Sequence, residues 1–78
     1  MTVYVLKSQQ GGGHYVGMTN DLTRRLREHN RGMTRSTRSR RPFEVVYVEE
    51  YEDREAARRR EKYLKTAAGR RFLKKLAP

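Results

Sequence analysis

The chain has 78 residues, no cysteine and only 35% apolar residues, which allows a single domain over 1–78 with one small core and excludes disulfide or thiolate–zinc stapling. Nineteen Lys and Arg stand against nine Asp and Glu, a net charge of +10 that points to a polyanion, most commonly nucleic acid. No apolar run approaches the roughly 20 residues that span a bilayer and no secretory leader is visible, so the expectation is a cytoplasmic protein with no membrane partner.

Thr2 to Lys7 alternates and is rich in β-branched and aromatic residues, the pattern of a strand. Gln9-Gln10-Gly11-Gly12-Gly13 reads as a turn and His14 to Met18 as a second short strand. The pair predicts an antiparallel hairpin with Tyr4 and Tyr15 close together on one face. Thr19-Asn20-Asp21 starts a helix, with Thr19 or Asn20 as cap and Asp21 suited to the positive helix end. Leu22, Leu26 and His29 follow at helical intervals, Arg25 shares a face with His29, and Asn30 and Gly32 end the helix.

Met33 to Arg41 has no apolar period and no acid. Its Arg35, Arg38, Arg40 and Arg41, spaced by Thr and Ser, predict a solvated loop that grips phosphates with little sequence choice. Phe43 to Tyr51 predicts the third and longest strand, and its run Val45 to Val48 argues for a central position with both faces covered. Asp53 caps a second helix from Arg54 to about Thr66, with Ala57, Leu64 and Tyr63 inward. Gly69 is expected to break it, and Arg70 to Leu76 to form a third helix packing Phe72, Leu73 and Leu76. The order β-β-α-β-α-α predicts an α+β fold, a small three-stranded antiparallel sheet flanked by helices.

Several side chains suit phosphodiester chemistry. Tyr4 and Tyr15 read either as a cross-strand aromatic pair or as a base and its helper; a phenol with a pKa near ~10 needs a neighbouring cation to serve as a base. Arg25 is the best placed clamp for a scissile phosphate, while Arg24 and Arg27, on other helix faces, suit phosphate tracking. His29, four residues after Arg25, suits proton relay or phosphate binding. Glu61, a lone carboxylate between Arg60 and Lys62, suits Mg²⁺, which takes few protein ligands at phosphate sites; Glu49 and Glu50 are secondary candidates. Gly17 suits a bend or a close backbone approach near the phosphate.

Read in order, Thr2-Val3-Tyr4, Tyr15-Val16-Gly17, the Asn20–Asn30 stretch with Arg25 and His29, Arg59 to Thr66 around Glu61, and Gly69-Arg70-Arg71-Phe72-Leu73 form one pattern. It resembles the GIY-YIG nuclease superfamily, small single-domain bacterial type, whose first two strands carry Gly-Ile-Tyr and Tyr-Ile-Gly. The likeness runs from about Val3 to Leu76 and extends to the incision domain of excision-repair proteins. It implies a Mg²⁺-dependent DNA endonuclease, with Mn²⁺ as substitute, that leaves 5′-phosphate and 3′-hydroxyl ends. By this resemblance Tyr4 deprotonates the attacking water and Tyr15 supports it, roles the sequence leaves interchangeable, and Glu61 binds the metal. Relatives act in nucleotide-excision repair, branched-DNA cleavage, restriction and intron homing.

Two positions depart from the family pattern. Thr2 and Val3 precede Tyr4 without a glycine, and Met18 stands where some relatives carry lysine. So small a chain cannot read a long duplex site, which favours single-stranded or branched DNA, with target choice helped by self-association or a protein partner. The competing reading is a basic nucleic-acid-binding module that keeps the nuclease fold without cutting.

Overall fold

Val3, Tyr4, Val5 and Leu6 are all buried, so both faces of the first strand are covered. That is the signature of a central strand, and the sheet is ordered β2-β1-β3 with both pairings antiparallel. The structure is a computed structural model that describes residues 1–11 and 13–76; Gly12 of the expected turn lies outside the described residues. Its elements are β1 (Thr2–Ser8), β2 (His14–Thr19), α1 (Leu22–Asn30), a short 3₁₀ turn (Arg38–Arg40), β3 (Phe43–Glu50), α2 (Arg54–Leu64) and α3 (Ala67–Leu76). The α+β class and the order β-β-α-β-α-α are as expected.

β3 is an edge strand, contrary to its expected central place. Its valines are only partly covered, and Val48 is 45% exposed. The apolar run misled because a bulge interrupts it: Val5 faces Tyr47 and Leu6 faces Val45, so Val46 is the extra residue. The run therefore does not alternate cleanly between the two faces.

Alternation along β1 sorts the side chains into two cores. Val3 and Val5 join Val16 beneath Ala57, Leu64 and Leu73 from α2 and α3. Tyr4 and Leu6 join Phe43 on the other face, where Leu22 and Leu26 of α1 cover them. Asp21, rather than Thr19 or Asn20, caps α1, its side chain accepting from the Arg24 N–H at 3.1 Å. Thr19 is buried and uses its hydroxyl one step earlier, accepting from the Asp21 N–H at 3.0 Å. Asp53 caps α2 as expected, accepting from the Ala56 N–H at 2.8 Å.

The C-terminal part corrects three expectations. α2 stops at Leu64, and Thr66 starts α3 by accepting from the Gly69 N–H at 3.2 Å. Gly69 thus lies inside α3 and breaks nothing. It is glycine because α3 presses on the end of α2 there: an added Cβ would lie 2.6 Å from the Leu64 carbonyl carbon. Tyr63 and Leu76 point largely outward, at 44% and 46% exposure, and Arg60 lies over the Tyr63 ring.

The arginine-rich segment is anchored rather than free. Ser8 Oγ donates to the Arg40 carbonyl at 2.5 Å, and the Asn30 amide brackets Phe43, accepting from its N–H at 2.7 Å and donating to its carbonyl at 3.2 Å. Thr37, expected in solvent, is fully buried.

Gly69→Ala should destabilise the fold by about 1–3 kcal/mol, because backbone rather than a mobile side chain blocks the new methyl. A urea midpoint equal to that of the parent protein would contradict this account of the helix junction.

Candidate active site

The register brings the two strand tyrosines together. Tyr4 pairs with Gly17, and Leu6 with Tyr15, so all four lie on the α1 face. The Tyr4 and Tyr15 ring centroids are 6.3 Å apart. Gly17 is what lets Tyr4 lie flat across β2: a Cβ there would overlap the Tyr4 hydroxyl and come within 2.6 Å of its Cζ.

α1 lowers His29 onto this pair. Its ring is fully buried, edge-on to Tyr15 at 4.9 Å between centroids, and Nε2 is 3.0 Å from the Tyr4 hydroxyl. The ring is as buried as that of Tyr4, and its hydrogen-bonding atoms face Tyr4 and Thr37. Burial, followed by the nearby Arg25 charge, lowers its pKa to about 4, so the imidazole is neutral at pH 7.

Arg25, one turn earlier, is near enough for its charge to act on the Tyr4 hydroxyl. Burial raises the Tyr4 pKa; Arg25 pulls it down, and the charges of Tyr15 and Glu61 push it up. Burial wins. Arg25 alone therefore does not make Tyr4 a phenolate, as the sequence had suggested a cation would.

Glu28 holds Arg25, a contact that residue-by-residue reading of the sequence missed. Its carboxylate accepts from Arg25 Nη1 and from Arg24 Nη1, each at 2.9 Å. Those bonds, Arg25 first, lower the Glu28 pKa. The signal was present in the i+3 and i+4 spacing from the two arginines. Arg25 and Glu28 border a polar cavity of about 400 Å³ with Arg24, Arg54, Asn20 and Met18. Met18 brings no charge to it, and its cationic side chains are the three arginines, with the N-terminal residue Met1 also at its edge.

Glu61 reaches the neighbourhood from α2 and acts on Tyr4 through charge. Its carboxylate is paired with Lys65 at 3.1 Å and Arg58 at 3.8 Å. The two secondary carboxylates stand apart from it. Glu49 faces the opposite core, where it accepts from Tyr47, from Tyr51 at 2.6 Å and from both Arg60 Nε and Nη2 at 2.9 and 3.1 Å. Glu50 accepts from the Thr2 hydroxyl.

The other cations are dispersed. Arg27 and Arg35 are exposed. Arg24 is shared between Asp21 and Glu28. Arg38, Arg40 and Arg41 donate to carbonyls of their own segment, those of Gly32, Ser36 and Arg38, at 3.1, 3.4 and 3.3 Å.

A buried tyrosine–histidine pair thus lies beside an arginine on this β-β-α-β-α-α frame. The model of the GIY-YIG catalytic domain matches residues 1–75. The chain belongs to the GIY-YIG family. It is 41% identical over 64 residues to a UPF0213 protein of Clostridium perfringens, covering 81% of this chain and 68% of that one. It is 40% identical over 65 residues to a UPF0213 protein of Staphylococcus aureus, covering 82% and 78%. The solution NMR structure of a UPF0213 protein from Bacillus halodurans superposes with a TM-score of 0.58 at 32% identity, covering 97% of this chain and 83% of that one. GIY-YIG membership implies nuclease action on DNA and, in general, dependence on a divalent metal.

The donor chemistry fits such a metal in a limited way. Glu61 is a hard oxygen donor with some solvent access, as Mg²⁺ or Mn²⁺ requires. Among the described residues no group of three His, Cys, Asp or Glu side chains gathers anywhere. Glu61 would thus hold the ion as its single protein carboxylate, after parting from Lys65 and Arg58.

Two outcomes follow from this geometry. Gly17→Ala should destabilise the protein by about 1–3 kcal/mol and shift the His29 ring resonances in NMR, because the buried Tyr4 ring has nowhere to retreat. For His29, a folded pKa below the unfolded value makes the neutral ring a stabilising feature above pH 6.5 that is lost as the pH falls towards about 4. The loss should amount to about 3 kcal/mol. Urea titrations at pH 7, 5.5 and 4.5 measure it, and a flat profile over that range would refute the burial of an uncharged His29. Glu28 and Glu49, with lowered values, add their own loss from the ordinary carboxylate range downward, so the interval from pH 7 to 5.5 reads His29 most cleanly.

Proposed function

We propose that this protein is a metal-dependent DNA endonuclease in which Tyr4 activates the attacking water and His29 receives the proton that Tyr4 gives up. The observation that carries the reading is the buried Tyr4–His29 hydrogen bond beside Arg25. A neutral phenol is a poor base, but a phenol whose own proton has a waiting acceptor can take a proton from water as it passes one on.

Water loses a proton to the Tyr4 oxygen while the Tyr4 proton moves to His29 Nε2. The hydroxide attacks phosphorus in line, and the bond from phosphorus to the 3′ oxygen breaks, which leaves 5′-phosphate and 3′-hydroxyl ends; the 3′ oxygen takes its proton from solvent. Arg25 meets the charge that builds on the nonbridging oxygens. A divalent cation on Glu61, Mg²⁺ or Mn²⁺, supplies polarisation of the phosphate and stabilisation of the leaving oxygen. Tyr15, in edge contact with His29, packs the relay and lies next to the attacking water. A phosphate on Arg25 replaces Glu28 as its counter-charge and adds negative charge beside the imidazole. This offsets the Arg25 field that holds the His29 pKa down, so the relay strengthens once substrate is bound.

The exposed Arg24, Arg27, Arg35, Arg38 and Arg41, with the half-buried Arg40, supply phosphate contacts without base reading, which suits single-stranded or branched DNA. The self-pairing of Arg25 with Glu28 and of Glu61 with Lys65 supports a second reading, a binding module whose charges stay occupied and which does not cut.

Labelled single-stranded, duplex and branched DNA, incubated with Mg²⁺, Mn²⁺ or EDTA, separates the two. The nuclease reading expects cleavage that EDTA abolishes, that Glu61→Ala loses and that Tyr4→Phe slows by about 10²–10⁴-fold, the scale of acid–base catalysis. DNA affinity should be unchanged in Tyr4→Phe. Intact DNA in every lane, with salt-sensitive binding retained, would give the binding module preference.

A further inference from the structure

The buried hydrogen bonds around His29 continue past the pair just described. Thr37, fully buried at the start of the 3₁₀ turn, has its hydroxyl 2.9 Å from His29 Nδ1. The same hydroxyl lies 3.3 Å from the Thr34 carbonyl oxygen. Four groups from three separate segments thus form one line: Tyr4 of β1, His29 of α1, Thr37 and the Thr34 carbonyl.

The carbonyl end of that line sets its direction. A carbonyl has no proton, so Thr34 can only receive one from the Thr37 hydroxyl. Each of the other groups has one proton to place. Thr37 donates to Thr34 and so accepts from His29; His29 donates from Nδ1, which leaves Nε2 bare to accept from Tyr4. The reverse order would leave the buried Tyr4 proton with no acceptor among the described residues, which costs about 1–3 kcal/mol.

We propose that Thr37 is a positioning residue for the nuclease reaction: its hydroxyl holds His29 in the tautomer protonated at Nδ1, so that the Nε2 lone pair faces Tyr4. The inference rests on the nuclease reading for its consequence, not for its geometry. With the other tautomer, Nε2–H would donate to the Tyr4 oxygen and the Tyr4 proton would have no way out. When Nε2 does receive a proton, the imidazolium keeps its Nδ1–H bonded to Thr37 rather than bare in the core. Burial and the Arg25 charge keep the resting ring neutral, so the acceptor site is open at pH 7.

Thr37→Val matches the shape and removes the hydroxyl; Thr37→Ser restores it. Nitrogen-15 NMR of the labelled His29 ring, on free protein at pH 7 without DNA, reads the tautomer directly. The expected result is protonated Nδ1 and bare Nε2 in the parent and in Thr37→Ser, with a shift towards Nε2–H in Thr37→Val. A parent ring protonated at Nε2 overturns the proposal whatever the cleavage assay gives. In cleavage, Thr37→Val should lose roughly 10–100-fold in kcat, the scale for removing a histidine's orienting partner. KM for DNA should stay put, since a buried hydroxyl meets no DNA, and Thr37→Ser should recover most of the rate. A Thr37→Val protein that cuts at the parent rate overturns the positioning role and leaves the nuclease reading intact. A parent that cuts nothing yet shows the Nδ1–H ring removes the nuclease reading and keeps the tautomer assignment.

Discussion

Burying an imidazole completely is expensive unless both of its nitrogens are hydrogen-bonded, and the rest of this small protein is arranged around meeting that condition for His29. Nε2 is met from the central strand by Tyr4, and Nδ1 from the arginine-rich segment by Thr37. Each partner in turn depends on its own support. Tyr4 lies flat only because Gly17 has no side chain. Thr37 is held in because its segment is tied before it by the Met33 N–H donating to the Glu28 carbonyl, and after it through Ser8 to Arg40 and Asn30 to Phe43. One buried ring therefore joins β1, β2, α1 and the approach to β3.

The sheet divides its labour between two faces. Under α2 and α3 lies an apolar core closed by a polar knot in which Glu49 takes hydrogen bonds from Tyr47, Tyr51 and Arg60, while Arg60 lies over Tyr63 and Phe72. Burial alone would push the Glu49 carboxyl up; Arg60 and the two tyrosines together bring it below the ordinary range. That knot braces α2 on β3 and involves no residue of the candidate site. Under α1, by contrast, the core is aromatic and polar, built from Tyr4, Tyr15, His29 and Phe43. The chemistry sits on the face where hydrogen bonds rather than aliphatic contacts fill the space.

Charge follows a similar economy. A chain with a net charge of +10 repels itself, yet its two most useful charges at the site are each neutralised at home, Arg25 by Glu28 and Glu61 by Lys65. Such pairs are weak where water reaches them, so a phosphate or a divalent cation competes with them on favourable terms. The remaining arginines stay on the outside, where they attract a polyanion without choosing among sequences.

The sequence by itself determined the element order, the hairpin that brings Tyr4 and Tyr15 together on one face, the Asp53 cap, and the helical spacing that aligns Arg25 with His29, because each follows from local periodicity or from groups a few residues apart; that Gly17 makes room for the Tyr4 ring came from the register. It misplaced β3, since a bulge at Val46 breaks the alternation an apolar run implies, and it took Gly69 for a helix break when the need there was close packing against Leu64. Only the tertiary structure decided which face of β1 meets the imidazole, that the His29 ring is fully buried, and that a threonine in a polar, arginine-rich stretch is a buried partner of that ring. Those facts depend on contacts between residues far apart in the chain or in segments without a periodic pattern. Nothing local to Thr37 distinguishes its hydroxyl from those of Thr34, Ser36 and Ser39; only the arrival of His29 from α1 does.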